Sequence, residues 1–284
     1  MKFKFWGVKA DISTPGPEHE RYGGSTACVE VRDSAGEVVI LDGGNGLYWL
    51  GRSLLATELG KGKGRAALVL SHTHWDRTCG FPFFVPVFIP GNEIRVLGGM
   101  SSEAKLEGRL EGQMQPHYSP MVSLTNLGAT LKFEVLEDGA STTIGGITLT
   151  LGRFPNRVRG MSFGYRLEEN GTSLAYMIDM DYDAEGTREA AAAFLKGCDV
   201  VIHEAFGVGS ERGAEAMQRS TWREATEIAL QAEVGALYYF YHHPDQTDDG
   251  LDAALEAQRS LVESRGVSSP PRLEIASEGL EVEL

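Results

Sequence analysis

A short apolar stretch that ends in a histidine-rich loop constrains this 284-residue chain more than any other feature. Residues 68–80 read LVLSHTHWDRTCG, so an apolar run is followed by His72, His74 and Asp76 at alternate positions. Alternate side chains of an extended segment point the same way, so these three should converge beyond the end of a strand. Two imidazoles and a carboxylate suit a zinc-like or iron-like divalent ion. The alternative is a pair of surface histidines in a turn, but the buried strand that feeds the loop favours a metal site.

This loop resembles the signature of the metallo-β-lactamase superfamily, H-x-H-x-D-H, except that Arg77 stands where the family has its third histidine. The glycine-rich residues 21–26 and 41–46 are similar to loops of the branch that contains ribonuclease Z-like enzymes and bacterial phosphodiesterases of cyclic nucleotides. The resemblance covers most of the chain. It implies an α/β fold, a four-layer αββα metallo-β-lactamase-like sandwich with a two-metal site between its sheets.

The order of predicted elements favours a single domain over residues 1–284. Segments 26–32 and 37–41 alternate apolar and polar residues on either side of the turn sequence DSAG, which is typical of a hairpin. Strands followed by helices dominate the rest of the chain. No linker divides the sequence and no internal repeat aligns.

Composition and charge argue against several classes of function. A formal net charge of −14 disfavours broad electrostatic binding to nucleic acid, which needs a basic surface. No segment reaches the ~18 consecutive apolar residues of a transmembrane helix, so no membrane association is expected. The three cysteines, Cys28, Cys79 and Cys198, have no disulfide or zinc-finger spacing, which predicts a reduced, cytoplasmic location.

The resemblance implies two further metal ligands at strand ends elsewhere. Asp179 follows a strand predicted over residues 173–178 and looks like the family's metal-bridging aspartate, although an aspartate that starts a turn is the alternative. His242 follows a strand predicted over residues 236–241 and matches the family's last metal histidine, unless His243 faces the site instead. The expected metal ligands are therefore His72, His74, Asp179 and His242, with Asp76 as the catalytic carboxylate.

Three positions in the same implied pocket depart from the family pattern. Asn156 stands where a metal histidine is expected, and Arg219 replaces a histidine that assists proton transfer. An amide oxygen is a weaker zinc ligand than imidazole, and an arginine stays protonated and cannot be a general base. Arg77 supplies a permanent cation at about the place of the second metal, so it is interpreted as a surrogate that balances Asp76 and Asp179. An Arg77 side chain turned to solvent is the alternative.

The first functional hypothesis follows from these departures. The chain would have an impaired metal site and low or no hydrolase activity, and it would bind a small anionic, phosphate-containing ligand or a protein partner. Arg77 and Arg219, with Asn156 in the same pocket, would contact this ligand, because arginine binds phosphate and carboxylate groups bidentately.

The second hypothesis is a working hydrolase with one ion. Zinc or another divalent metal at His72, His74 and Asp179 would activate water for attack on a phosphodiester or another ester, and Asp76 would orient that water. On either hypothesis we expect zero or one bound ion rather than two.

Overall fold

Alternating apolar residues and short turns build a β-rich chain in which helices flank the strands. The computed structural model describes residues 1–99, 103–117, 123–158, 160–207 and 219–284. The strands of this part are β1 (Lys2–Gly7), β2 (Cys28–Arg32), β3 (Val38–Leu41), β4 (Arg65–Leu70), β5 (Glu93–Gly98), β6 (Thr130–Val135), β7 (Ser141–Ile144), β8 (Ile147–Asn156), β9 (Gly160–Glu169), β10 (Thr172–Met177), β11 (Val200–Glu204), β12 (Ala236–Phe240), β13 (Arg272–Ile275) and β14 (Glu281–Glu283). Its α-helices are α1 (Gly46–Leu54), α2 (Glu103–Gln113), α3 (Thr187–Leu195), α4 (Trp222–Gln231) and α5 (Asp248–Ser264).

The strands pair into two mixed sheets of seven strands each. The first has the order β14-β1-β2-β3-β4-β5-β6, and the second has the order β13-β12-β11-β10-β9-β8-β7. Strands β3 to β6 run parallel in the first sheet, and strands β10 to β13 run parallel in the second. The predicted hairpin is confirmed, because β2 and β3 pair antiparallel with Val31 opposite Val39.

Three apolar clusters lie between four layers of secondary structure. Side chains from both sheets, among them Phe5, Tyr176 and Phe240, fill the space between the sheets. A second cluster packs the other face of the second sheet against α3, α4 and α5, and a third packs the first sheet against α1 and α2. Each large apolar side chain buried in this way contributes roughly 1.5–3 kcal/mol. The expected four-layer αββα sandwich is confirmed.

The parallel strands determine where polar residues can gather. Every residue of β11 and β12 is buried, as expected for parallel strands covered on both faces. The carboxyl ends of parallel neighbours meet at one edge, which is where ligand-binding residues collect in open α/β sheets. Strands β4, β10 and β12 end at Leu70, Met177 and Phe240, so the loops that follow them meet at this edge.

The start of α4 is fixed by a reciprocal cap. The hydroxyl of Thr221 accepts a hydrogen bond from the backbone N–H of Glu224, and the Glu224 carboxylate accepts one from the backbone N–H of Thr221. This reciprocal capping box fixes the chain beside Arg219. Across the described ranges, every helix is too short or too polar to cross a membrane.

Candidate functional site

The histidine loop leaves β4 in an extended conformation and then tightens. His74 has extended backbone angles, but residues 75–77 form one turn of 3-10 helix. The alternation expected from the sequence therefore ends before Asp76, and both Asp76 and Arg77 turn inward and are buried. The rings of His72 and His74 meet edge to face, with their centroids 4.2 Å apart.

Arg77 is the centre of the charged cluster. Its guanidinium is completely buried and lies within 4 Å of three carboxylates: the closest N–O distances are 3.4 Å to Asp179, 3.6 Å to Asp76 and 3.9 Å to Asp42. One Nη also donates to the Ser71 hydroxyl at 3.0 Å. Burial alone would lower the pKa of Arg77, but Asp179 and the other acidic neighbours raise it well above its ordinary value. The arginine is therefore a fixed cation at the meeting point of the loops.

Asp42 joins this cluster from the turn after β3, where sequence reasoning expected only a turn. Its carboxylate accepts hydrogen bonds from the backbone N–H and hydroxyl of Ser71 and from the hydroxyl of Tyr176. Burial nevertheless raises its pKa to about 6. The same turn needs Gly44, because a Cβ there would lie 2.6 Å from the Asp76 carbonyl oxygen. An aspartate and two glycines directly after a buried strand were the signal available in the sequence.

Asp179 reaches the histidine loop from the end of β10. Its Oδ2 lies 2.8 Å from Nε2 of His72. Its backbone has a φ of 58°, and its N–H donates to the buried carboxylate of Glu204 at 2.5 Å. A positive φ at a residue other than glycine is uncommon and marks a constrained position. The strand end thus presents the Asp179 carboxylate to both His72 and Arg77.

Asn156 holds the backbone beside Asp179. Its side-chain N–H groups donate to the Ser162 hydroxyl at 3.0 Å and to the Asp179 carbonyl oxygen at 3.1 Å. Its side-chain oxygen accepts a hydrogen bond from the backbone N–H of Val158. The bond from Val158 engages the amide oxygen, which is the side-chain atom of Asn156 suited to bind a metal ion.

His242 does not face this cluster, which corrects the expectation from the sequence. Its Nε2 lies 3.0 Å from the Ala276 carbonyl oxygen, and its ring stacks on Trp222 of α4. Burial lowers its pKa to about 4. The reason is the backbone at Tyr241, where a φ of 62° interrupts the alternation of inward-facing and outward-facing side chains and shifts it by one residue. Phe240 and Tyr241 therefore both face the space between the sheets, and His242 turns toward α4.

Tyr241 takes the place expected for His242. Its hydroxyl donates to the Asp76 carboxylate at 2.5 Å, and the guanidinium carbon of Arg77 lies 4.0 Å from its ring centroid. Burial raises the pKa of Tyr241 well above its ordinary value, so the phenol stays a neutral donor. The Asp76 carboxylate, expected to be catalytic, is thus occupied by Tyr241 and Arg77.

Arg219 lies at the outer side of the cluster. It makes a two-pronged ion pair with Asp11, with N–O distances of 3.0 and 2.6 Å. Its guanidinium is stacked on the ring of Phe206 at 4.2 Å and lies 5.5 Å from that of Tyr241. The structure therefore brings Arg219 near the site through Tyr241, while its charge is paired with the loop after β1.

The family of the chain is given by its sequence. The family described as Beta-lactamase superfamily domain matches residues 39–243, which include the histidine loop, Asp179 and Tyr241. This chain belongs to the beta-lactamase superfamily. No curated protein matches its sequence significantly.

Solved structures of the superfamily share the whole fold with this chain. The metallo-beta-lactamase fold protein YhfI from Bacillus subtilis is 16% identical with a TM-score of 0.70, covering 100% of this chain and 98% of its own. A diphosphatase from the PhnP family is 16% identical with a TM-score of 0.65, covering 100% and 97%. Human tRNase Z, short form (ELAC1), is 17% identical with a TM-score of 0.65, covering 100% and 99%. At these identities the likeness shows the fold alone.

The two-metal centre implied by the superfamily resemblance does not fit these residues. The Arg77 guanidinium contacts Asp76 and Asp179, the two carboxylates that a second ion would need. Tyr241 stands where a histidine was expected, and the Asn156 oxygen is engaged by the backbone. Within the described ranges, no three His, Cys, Asp or Glu side chains are grouped to hold a metal ion.

Proposed function

We propose that this beta-lactamase superfamily member has an impaired metal site with low or no hydrolase activity, and that its pocket binds a small anionic, phosphate-containing ligand. The observation that carries the proposal is the buried guanidinium of Arg77 among Asp42, Asp76 and Asp179. A permanent cation there neutralises carboxylates that would otherwise repel one another, and it repels an incoming dication.

The missing proton-transfer group supports the same proposal. Arg219 remains protonated at any working pH, and Asp76 is held by Tyr241. General acid–base assistance is worth about 10²–10⁴-fold in rate, so losing it together with a complete metal site removes most of the hydrolytic advantage. What these residues still provide is a cluster of charged side chains held at the ends of buried strands.

The ligand class is inferred from charge and from similar proteins. Arginine is the side chain best suited to planar, two-pronged recognition of phosphate or carboxylate groups, and the site contains two arginines, Arg77 and Arg219. Two of the similar structures are named as a diphosphatase and a tRNase Z, which favours a phosphate-containing ligand over other anions.

Metal content and turnover test the impaired site together. The protein, purified without added metal and then supplied with zinc or manganese, is measured by elemental analysis and with bis-p-nitrophenyl phosphate. We expect at most one ion per chain and no metal-dependent increase in hydrolysis. Two ions per chain with robust, metal-dependent turnover would refute the proposal.

One observation favours a second candidate, a one-metal hydrolase. His72 Nε2 lies 2.8 Å from Asp179 Oδ2, and the ring of His74 meets the ring of His72 edge to face. A metal ion would have to draw these three side chains together, since among the described residues they are not grouped around one point. An ion bound there would supply Lewis acidity to water or substrate. If this candidate holds, His74→Ala abolishes both the bound ion and any hydrolysis. If the impaired site holds, there is no metal-dependent hydrolysis for His74→Ala to abolish.

A further inference from the structure

Arg219 is the arginine of the site that a ligand could reach. Its side chain is 14% exposed, whereas that of Arg77 is 0% exposed and lies among three carboxylates. A ligand bound through Arg77 would have to displace carboxylates that are themselves buried. Among the described residues, the carboxylate that a ligand bound through Arg219 would have to displace is that of Asp11, whose side chain is 40% exposed.

The guanidinium of Arg219 contacts two aromatic rings and one carboxylate. The ring of Phe206 stacks on it at 4.2 Å, and the ring of Tyr241 lies 5.5 Å away. Both terminal nitrogens point at one partner, because Nη1 donates to Oδ2 of Asp11 and Nη2 donates to Oδ1. A planar fork fixed in this way binds a carboxylate or phosphate with little further loss of side-chain freedom.

Asp11 holds its place in a constrained turn. Its φ is 55°, and the N–H of Ile12 donates to the Ala10 carbonyl oxygen across it. The Ile12 side chain next to it is 57% exposed. Aspartate is one of the few residues other than glycine that adopt this backbone conformation readily. The Asp11 backbone N–H also lies 3.4 Å from the Tyr241 hydroxyl, so the turn places the Asp11 carboxylate beside both Tyr241 and Arg219.

We propose that Arg219 binds the oxyanion of the pocket's ligand, and that the Asp11 carboxylate occupies this place until the ligand displaces it. This inference rests on the proposed anion-binding function and names the residue that carries it. The displaced carboxylate and an incoming phosphate monoester present the same pair of acceptor oxygens to the fork. The Tyr241 hydroxyl, 3.5 Å from Oδ1 of Asp11, lies beside the bound oxygen.

The test measures binding of phenyl phosphate, inorganic phosphate and benzoate by calorimetry at low ionic strength. Asp11→Gly removes the carboxylate and tolerates the positive φ, and Asp11→Asn keeps the shape while removing the charge. Both variants should tighten phenyl phosphate binding by about tenfold or more, because the ligand no longer has to displace the Asp11 carboxylate from Arg219. Arg219→Gln should abolish binding of phenyl phosphate. Arg219→Lys should weaken it, because lysine lacks the planar pair of N–H donors of the guanidinium.

A matched control frees a different arginine. Arg95 makes a comparable two-pronged ion pair with Glu134, with both N–O distances 2.7 Å. Glu134→Gln should leave binding unchanged, and a gain equal to that of Asp11→Gly would show that any released arginine binds the anion, which overturns the inference. Benzoate binding as tightly as phenyl phosphate would keep Arg219 as the site but would refute a preference for phosphate over carboxylate.

The remaining outcomes separate this inference from the proposed function. If the wild-type chain binds phenyl phosphate and neither the Asp11 nor the Arg219 variants change that affinity, the ligand binds elsewhere and only the inference fails. If no variant binds any of the three anions, both the inference and the anion-binding part of the function fail. The low hydrolase activity is then judged separately by metal content and turnover.

Discussion

The ring of Tyr241 covers the guanidinium of Arg77, and the hydroxyl of the same tyrosine donates to Asp76, the residue that precedes Arg77 in the chain. One side chain therefore serves both members of an ion pair. The ring favours the cation through its negative face, and the hydroxyl satisfies the carboxylate. Tyr241 and Arg77 act together as one neutralising unit for the buried acids.

Removing the cation should destabilise the fold. Arg77→Met retains much of the side-chain volume but leaves Asp76 and Asp179 buried without their positive partner, at a cost of about 3–5 kcal/mol in the free energy of unfolding. Arg77→Lys keeps the charge and should recover part of this loss. Urea unfolding measures both.

A matched control for this prediction is Arg95→Met, which breaks the partly exposed pair with Glu134. Exposed and partly exposed pairs contribute at most about 1 kcal/mol, so this variant should lose much less. If Arg77→Met costs no more than Arg95→Met, the buried acids do not depend on Arg77.

The hydroxyl of Tyr241 should have a measurable effect of its own. Tyr241→Phe leaves a buried Asp76 oxygen without its donor and should lower the free energy of unfolding by about 1–3 kcal/mol. Tyr48→Phe is the control, because Tyr48 is 36% exposed on α1 and should change stability by less than about 0.5 kcal/mol. Equal stability of the two variants would argue against the Tyr241–Asp76 hydrogen bond.

Restoring histidines should raise metal binding. The triple change Arg77→His, Asn156→His and Tyr241→His replaces the fixed cation, an engaged amide and a phenol by imidazoles, so zinc per chain measured by elemental analysis should increase over wild type. Adding His242→Asn to this triple variant should leave the zinc content unchanged, because His242 faces Trp222. A fall in zinc on that last change would place His242 in the site after all.

His203 should make stability depend on pH. Burial lowers its pKa from 6.5 to about 4, while one ring nitrogen lies 2.7 Å from the Glu204 carbonyl oxygen and the other contacts the Tyr182 hydroxyl. The unfolded chain therefore binds the extra proton between these pKa values, and His203 lowers stability as the pH falls through that window. At higher pH this cost is absent.

The measurement for this prediction compares wild type with His203→Asn. The variant is less stable at neutral pH, but the difference should shrink by about 2 kcal/mol between about pH 7.5 and about pH 5, because only the wild type has a histidine that takes up a proton on unfolding. Denaturant titrations at each pH give the difference. A gap that does not change with pH would contradict a buried neutral His203.

The resemblance of the histidine loop and the glycine-rich loops to the superfamily predicts the sandwich, and the regular apolar patterns of the sequence locate its strands. The same logic places His72, Arg77 and Asp179 together, since each follows a strand whose end can be read from the residues. His242 is the residue for which this logic is wrong. A single left-handed residue, Tyr241, reverses which side chain faces inward, and no local composition marks that change.

Two other partners depend on contacts distant in the chain. Asp42 reads as part of a glycine turn, and only its bonds to Ser71 and Tyr176 show that it belongs to the charged cluster. Asp11 lies 208 positions from Arg219, so no local pattern links them. Such long-range pairs follow from tertiary packing, which the alternation of apolar residues does not specify.

The buried position of Arg77 also affects how this chain responds to its surroundings. A positive charge joined to the backbone by covalent bonds cannot be stripped by a chelator, exchanged for a competing ion or lost when zinc is scarce. The acids at the strand ends therefore have a cationic partner from the moment the chain folds. The integrity of the fold at this edge should be independent of metal supply, and it should persist unchanged in EDTA.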